Sequence, residues 1–185
     1  MSPEIENNTA GSKIVLVTGG ARSGKSDHAE RRAAQLGRPG IYIATAQAFD
    51  AEMEDRIARH RMRRDGSWRT EEVPLALVEA LRATDGEGVR LVDCLTLWLS
   101  NLMGAGADPA SEADALAECL QAQASPVILV TNEVGQGIVP DNPLARRFRD
   151  AAGLMNQRIA RVADEVVLVV AGLPMVLKSS GRADA

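Results

Sequence analysis

The sequence predicts an α/β domain, a mainly parallel sheet with helices on both faces, and three observations carry that expectation. Short apolar runs, Ile14 to Thr18, Ile41 to Ala44, Val89 to Cys94, Val127 to Thr131 and Glu165 to Val170, alternate with stretches of helical periodicity. Their interiors are almost continuously apolar, as in strands buried on both faces. The first run leads directly into Gly19-Gly20-Ala21-Arg22-Ser23-Gly24-Lys25-Ser26 and then into a helical pattern, which is the strand, glycine loop and helix of a phosphate-binding P-loop. A chain of 185 residues has room for one such domain with one core. The expected domain spans 13–178, between a leader, 1–12, and a tail, 179–185.

In order along the chain, Met1 to Ser12 is polar and offers no apolar periodicity to bury. After the P-loop, Ala29, Ala33 and Leu36 recur at helical spacing until Gly37, Pro39 and Gly40 stop the helix. Ile41 to Ala44 is the second strand and runs into Thr45-Ala46-Gln47. Ala51 to Arg64 is a charged helix candidate capped by Asp50, and it closes on Arg61-Met62-Arg63-Arg64. Ser67 to Val73 is expected to be extended. Pro74 starts a helix through Leu75, Val78 and Leu81, and Asp85 to Gly88 is a turn. Val89 to Cys94 carries Asp93 near its carboxyl end. Leu95 to Met103 is an apolar helix, followed by a loop to about Ser111 and a helix over Glu112 to Gln123. Val127 to Thr131 ends in a second polar, glycine-bearing loop, Asn132 to Gly137. A long amphipathic helix, Pro143 to Ala163, precedes the strand at Glu165, and the chain beyond Lys178 is expected to be loose.

Composition narrows the function. The net charge of −4 gives no general attraction to nucleic acid or anionic membrane. The basic stretch Arg56 to Arg69 has no aromatic interleaving beyond Trp68, which also argues against a nucleic-acid face. Cys94 and Cys119 stand far apart with no CxxC or Cys/His cluster, so neither a zinc site nor a disulfide framework is indicated. There is no signal-peptide pattern and no apolar run long enough to span a bilayer. These features together point to a cytoplasmic protein.

In a parallel sheet, ligands bind beyond the carboxyl ends of the strands. That rule should bring the P-loop, Thr45, Asp93 and Glu133 to one rim. Backbone N–H groups of Gly19 to Ser26 would close around phosphate oxygens, Lys25 would reach the β- and γ-phosphates, and the Ser26 hydroxyl would ligate Mg²⁺. The carboxylate that phosphoryl transfer needs opposite the loop is expected at Asp93 first and Glu133 second, although either could be a solvated strand-end acid. His60 shares a helix face with Met53, Ile57 and Arg64. Two roles fit it: a partly buried packing histidine, or a nucleophile whose neutral nitrogen attacks a nucleotide α-phosphorus and expels pyrophosphate. Arg56, Arg61, Arg63 and Arg64 would gather positive charge there. Packing is expected of His28, Trp68 and Trp98.

With these residues in place, the chain from Ile14 to about Lys178 closely resembles the bifunctional adenosylcobinamide kinase / adenosylcobinamide-phosphate guanylyltransferase family of cobalamin synthesis. The carriers are Val17 to Ser26, Tyr42 to Ala46, Arg56-Ile57 with His60 and Arg64, Trp68-Arg69-Thr70 with Glu72, and Asp93-Cys94-Leu95-Thr96. Further on come Val130 to Gly135, Gly137 to Pro140, Phe148-Arg149-Asp150 and Asn156-Gln157. The resemblance implies a single P-loop NTPase-type (RecA-like) domain with two activities. It would phosphorylate the aminopropanol hydroxyl of adenosylcobinamide, with ATP or GTP as phosphate donor, and then move GMP from GTP onto that phosphate. It further implies a guanylylated histidine, with His60 the matching position and Lys25 as the loop lysine. Some relatives carry two adjacent histidines where this chain has Arg59-His60.

Nucleotide contacts carried over by the resemblance are Gly19, Gly20, Ala21, Arg22, Ser23, Gly24, Lys25, Ser26, Ala44, Thr45, Ala46, Arg61, Met62, Arg63, Arg64, Glu72 and Asp93. Ser26 and Asp93 are the expected Mg²⁺ ligands. Where some relatives have Glu, this chain has Asp93, so guanine or Mg²⁺ remains open as its partner. The implied partners are adenosylcobinamide and GTP or ATP, with no nucleic acid and no stable membrane insertion. A homo-oligomer, a trimer, is implied by the resemblance alone. Two other functions fit the P-loop by itself: a monofunctional small-molecule kinase with a structural His60, and a nucleotide-dependent regulatory or binding module. The Asn-Lys-x-Asp guanine signature of switch GTPases is absent.

Overall fold

A computed structural model describes residues 14–37, 40–47 and 68–179. The charged helix expected over Ala51 to Arg64, and with it His60 and Arg61 to Arg64, lies outside them, as does the leader. Within the described residues, β1 (Ile14–Thr18), α1 (Lys25–Leu36), β2 (Gly40–Ala44) and β3 (Trp68–Glu72) come first. They are followed by α2 (Leu77–Ala83), β4 (Val89–Asp93), α3 (Leu95–Gly104), α4 (Pro109–Ala122), β5 (Val127–Val130), α5 (Pro143–Val162), β6 (Glu165–Val170) and β7 (Leu173–Ser179).

The sheet order is β3-β2-β4-β5-β1-β6-β7, and every neighbouring pair is parallel except β6 and β7. Alternation along the central strands accounts for their apolar runs. Ile14 and Leu16 of β1 and Val127 and Leu129 of β5 enter the core beneath α2, α3, α4 and α5. Val15, Val17, Ile128 and Val130 enter the opposite core, against Ala29 and Ala33 of α1. Both faces therefore carry helices, as expected, and a one-residue slip in any central strand would exchange the two cores.

Arg90 breaks the apolar run of β4, yet it is fully buried. Its guanidinium donates to Asp85 Oδ1 at 3.1 Å, to the carbonyls of Gly88 and Ser125 at 3.3 and 3.2 Å, and to Gln123 Oε1. Asp85 also accepts the N–H groups of Ala124 and Ser125, so the cluster fastens the start of β4 to the α4–β5 turn. Trp98, likewise buried, donates its indole N–H to the Leu75 carbonyl at 2.8 Å. Trp68 is half-buried, meets the Tyr42 ring edge-on at 6.4 Å, and lies over Gly40, where a Cβ would come within 2.7 Å of its ring.

Three sequence expectations are corrected. The loop expected to reach Ser111 is shorter, because Asp108 caps α4 by accepting the N–H groups of Ala110 and Ser111, and Pro109 takes the first turn where no N–H is required. The helix expected to begin at Leu75 begins at Leu77, after a turn in which Leu77 N–H donates to the Leu75 carbonyl. The chain after Val170, not expected to be a strand, turns at Ala171-Gly172 and returns as β7, antiparallel to β6. As an edge strand β7 tolerates Pro174 and leaves most of its side chains exposed.

Candidate active site

The P-loop leaves β1 at the carboxyl rim and wraps the start of α1. Gly24, with φ of 90°, turns the chain into the helix, and its carbonyl accepts the first helical bond from His28 N–H at 3.0 Å. Arg22 takes a positive φ of 55° within the same loop, strain of the kind that collects at ligand-binding turns. Gly19 leaves no room for a side chain: a Cβ there would stand 2.5 Å from the Val169 carbonyl oxygen and 2.6 Å from Ser23 Oγ. Lys25 is buried and its ammonium donates to the Gly20 carbonyl at 3.2 Å, across the mouth of the loop. Ser26 is half-buried in the first turn of α1, while Gly20, Ala21 and Arg22 are exposed. The Ser23 hydroxyl is buried with no hydrogen-bond partner among the described residues. A buried loop polar atom left this way suits a ligand oxygen.

The expected convergence on one rim is present. In register, Val17 of β1 pairs with Val130 of β5, Val130 with Asp93 of β4, Asp93 with Ala44 of β2, and Ala44 with Glu72 of β3. Asp93 is therefore separated from the P-loop strand by β5 and is not on the strand next to it. Glu72 is exposed and Ala46 half-buried. Asp93 is half-buried, and Oδ2 of its carboxylate accepts the Tyr42 hydroxyl at 2.9 Å. Thr45 is fully buried, so its side chain is spent on the fold: its hydroxyl donates to the Cys94 carbonyl and accepts Cys94 N–H, each at 2.8 Å, and its own N–H donates to the Asp93 carbonyl. Thr45 thereby fixes the backbone at Asp93. Asn101 holds Thr45 in turn, donating to its carbonyl at 2.8 Å and to that of Pro74 at 2.9 Å.

Glu133 stands on the same rim, but its carboxylate turns back on its own loop, accepting Gly135 N–H at 2.8 Å. Its main-chain N–H donates to the Gly19 carbonyl at 3.0 Å, so the 132–137 loop leans on the P-loop. A chain of hydroxyls secures that loop from behind. Asn132 N–H donates to Thr96 Oγ1 at 2.7 Å, Thr96 Oγ1 lies 3.3 Å from Thr131 Oγ1, and Thr131 donates to Asn156 Oδ1 at 2.8 Å. Since Thr131 spends its proton on Asn156, Thr96 donates to Thr131. His28 on α1 is half-buried, and its Nε2 is buried with no hydrogen-bond partner among the described residues. Burial lowers its pKa, with Arg31 and Arg32 adding to the effect and Glu165 opposing it, which fits a packing role. The Cys94 thiol beside Asp93 is pushed up to about 11 by burial and by that carboxylate, so it is no nucleophile at neutral pH.

The rim depends on the Tyr42 hydroxyl and the Thr96–Thr131–Asn156 chain, whose residues figure in the sequence only as parts of family motifs with no role assigned, and on the Ala171-Gly172 turn against the P-loop, which no sequence expectation covers. The turn had a readable signal, two apolar runs separated by two residues with glycine second. No group of three or more His, Cys, Asp or Glu residues is placed to hold a metal among the described residues. No helix of the described residues is long and apolar enough to cross a membrane.

A family model described as cobinamide kinase / cobinamide phosphate guanyltransferase matches residues 15–177. The chain is 53% identical over 167 residues to the bifunctional adenosylcobalamin biosynthesis protein CobP of Pseudomonas aeruginosa, covering 88% of this chain and 96% of that protein. It is 42% identical over 181 residues to the CobU protein of the same description from Escherichia coli K12, covering 89% and 99%. Among solved structures, an ATPase of the type III secretion system of pathogenic bacteria superposes with a TM-score of 0.52 at 12% identity, over 84% of this chain and 50% of that one. That likeness concerns the fold.

Proposed function

Since this chain belongs to the cobinamide kinase / cobinamide phosphate guanyltransferase family, we propose that the P-loop rim carries out both of that family's reactions, with His60 as the covalent carrier of the second. The enzyme is bifunctional: it phosphorylates cobinamide and transfers a guanylyl group to the resulting phosphate. The observation that carries the reading is the family match over 15–177, set on a P-loop whose rim gathers Asp93, Ala44 and Glu72 in one row.

In the first reaction the Gly19 to Ser26 backbone and Lys25 hold the phosphate chain, and the cobinamide hydroxyl attacks the γ-phosphorus as the bond to the β,γ-bridging oxygen breaks, releasing the nucleoside diphosphate and giving the hydroxyl proton to solvent. In the second, a neutral nitrogen of His60 attacks the α-phosphorus of GTP. The bond from that phosphorus to the bridging α,β-oxygen breaks, and pyrophosphate departs. A cobinamide-phosphate oxygen then attacks the same phosphorus, the P–N bond breaks, and His60 is restored. Arg61, Arg63 and Arg64, next to His60 in sequence, are assigned to the developing negative charge, and Met62 to the nucleotide contact surface. Ser26 and Asp93 supply a hydroxyl and a carboxylate, hard oxygen donors that fit Mg²⁺ with phosphate oxygens completing the shell. Mg²⁺ bound there would neutralise phosphate charge.

A cytoplasmic setting agrees with two buried, free cysteines. Self-association, as a trimer by family resemblance, is supported by an outward apolar face on the β6–β7 hairpin. Val170 is opposite Leu173 and Leu168 opposite Met175, and Val170, Leu173 and Met175 are 56%, 73% and 58% exposed.

The covalent step is tested with GTP labelled at the α-phosphate. Wild-type protein should retain label that survives base and is lost in acid, as a phosphoramidate does, and His60→Ala should retain none while still phosphorylating cobinamide. An unlabelled wild type, or equal labelling of His60→Ala, removes the histidine carrier from the mechanism.

A further inference from the structure

We propose that the Ala171-Gly172 turn of the C-terminal hairpin is a positioning element of the phosphate loop, with the Gly172 N–H as its working group. The inference rests on the P-loop holding a phosphate chain and on nothing finer in the two reactions. Gly172 N–H donates to the Ser23 carbonyl at 2.8 Å. Gly172 Cα comes within 3.2 Å of where a Cβ on Gly24 would stand, and Val169, in the strand leading to the turn, closes over Gly19 through its carbonyl. The hairpin thus touches the loop at three successive points, Gly19, Ser23 and Gly24.

Those are points where the loop needs support. Arg22 has φ of 55° and Gly24 φ of 90°, conformations that persist only when the surroundings hold them. The bond to Ser23 falls between these two residues. It also ties up the Ser23 carbonyl on the side facing the hairpin, so the oxygen is kept from turning toward the negatively charged ligand. The turn itself is built for this. Ala171 and Gly172 have φ of 51° and 80°, the two positive values of a type I′ hairpin, and that shape directs the Gly172 N–H at the loop. A Cβ on Gly172 would meet nothing within 4 Å. What is required at this position is therefore its φ and its N–H, not its lack of bulk.

This separates the two sides of glycine chemistry experimentally. Gly172→Pro removes the N–H and forbids the positive φ, whereas Gly172→Asn keeps the N–H and tolerates the left-handed region. Val176→Ala weakens the same hairpin by thinning its packing toward α1 without approaching the loop. Binding of inorganic tripolyphosphate and of GTP is measured by calorimetry, alongside melting temperature and the oligomeric state of each variant. Gly172→Pro is expected to weaken both ligands by the same factor, about tenfold. Gly172→Asn should stay within about threefold of wild type, and Val176→Ala should lower the melting temperature while leaving both affinities in place.

The proposal is overturned if Gly172→Pro binds tripolyphosphate as wild type does, or if either of the other variants loses as much as Gly172→Pro. Should the proline variant not fold, hydrogen exchange on wild-type protein decides the matter. By linkage, tripolyphosphate must slow exchange of the Gly172 amide if that amide supports the bound loop, and an unchanged rate overturns the proposal. Because tripolyphosphate has neither base nor acceptor, failure of the His60 mechanism would leave these results unaffected.

Discussion

Replacing Asp85 with alanine should destabilise the protein by about 3 kcal/mol without altering either reaction at temperatures where the variant is folded. The magnitude follows from what the carboxylate holds. Arg90 is fully buried and Asp85 a quarter exposed, with 3.1 Å between them. Breaking a buried pair by removing one partner costs about 3–5 kcal/mol. The lower end applies here, because Arg90 keeps acceptors at Gly88, Gln123 and Ser125 and water can reach the Ala124 and Ser125 N–H groups once the carboxylate is gone. For a chain of this size that is a fall of roughly 6–12 °C in melting temperature.

The pH dependence has a fixed sign. Burial alone would raise the Asp85 carboxyl, but the Ala124 and Ser125 N–H groups and Arg90 outweigh it, and its pKa lies below the ordinary value. A depressed carboxyl contributes stability that is present above the unfolded pKa, about 3.9, and is lost as pH falls through the folded value. Urea melts across this range should therefore show wild type and Asp85→Ala separated by a constant gap at pH 5 to 7 and converging below about pH 4. A gap under about 1 kcal/mol at pH 7, or one that does not narrow in acid, would refute the assignment. Arg90 is the second residue and Asp93 the last of the same short strand, so kcat is the control that separates stability from function.

Gly19→Ala should raise the nucleotide KM of both reactions at least tenfold while the protein stays folded, since the added methyl would collide with the Val169 carbonyl at 2.5 Å. Steady-state kinetics with near-normal KM would contradict that. Tyr42→Phe removes the hydroxyl bound to Asp93 at 2.9 Å; it should cost about 1 kcal/mol of stability and raise nucleotide KM several-fold, with little change in kcat, and an unchanged KM would show that the bond does not orient the carboxylate. Cys94, pushed up to about 11, should be thiolate to only about 0.1% at pH 8. Iodoacetamide should modify it in urea and leave it intact in the native protein, as followed by mass spectrometry.

What could be read from the sequence was chemistry contained in one local stretch. The P-loop carries its glycines, lysine and serine in eight consecutive residues, and both flanks announce their structure. β1, β2, β4, β5 and β6 were legible because central parallel strands bury both faces and so appear as apolar runs. β7 was not, because an edge strand with Leu173 and Met175 facing outward and a proline inside has no comparable pattern. Arg90 looked like a flaw in its strand, since its partners Asp85, Gln123 and Ser125 come together only when α4 returns to β5. The Tyr42–Asp93 bond joins residues 51 apart in sequence and depends on β2 lying beside β4. No local pattern reports strand order. His60 and Arg61 to Arg64 remain known through sequence alone.

The strand order also divides the acids of the rim. With strands about 4.8 Å apart, Asp93 lies two spacings from Val17, about 10 Å, and Glu72 lies four, about 19 Å. A carboxylate at the first distance can serve the phosphate end of a nucleotide held in the P-loop. One at the second lies beyond direct reach of that phosphate end. The described chain leaves the rim after Gln47 and rejoins the sheet at Trp68, so the connection bearing His60 and its arginines starts on the Asp93–Ala44–Glu72 side. Under the proposed mechanism, the phosphate loop on β1 and a nucleophile on the connection from β2 would be separate parts. That separation would let one loop present a γ-phosphorus to one acceptor and an α-phosphorus to another.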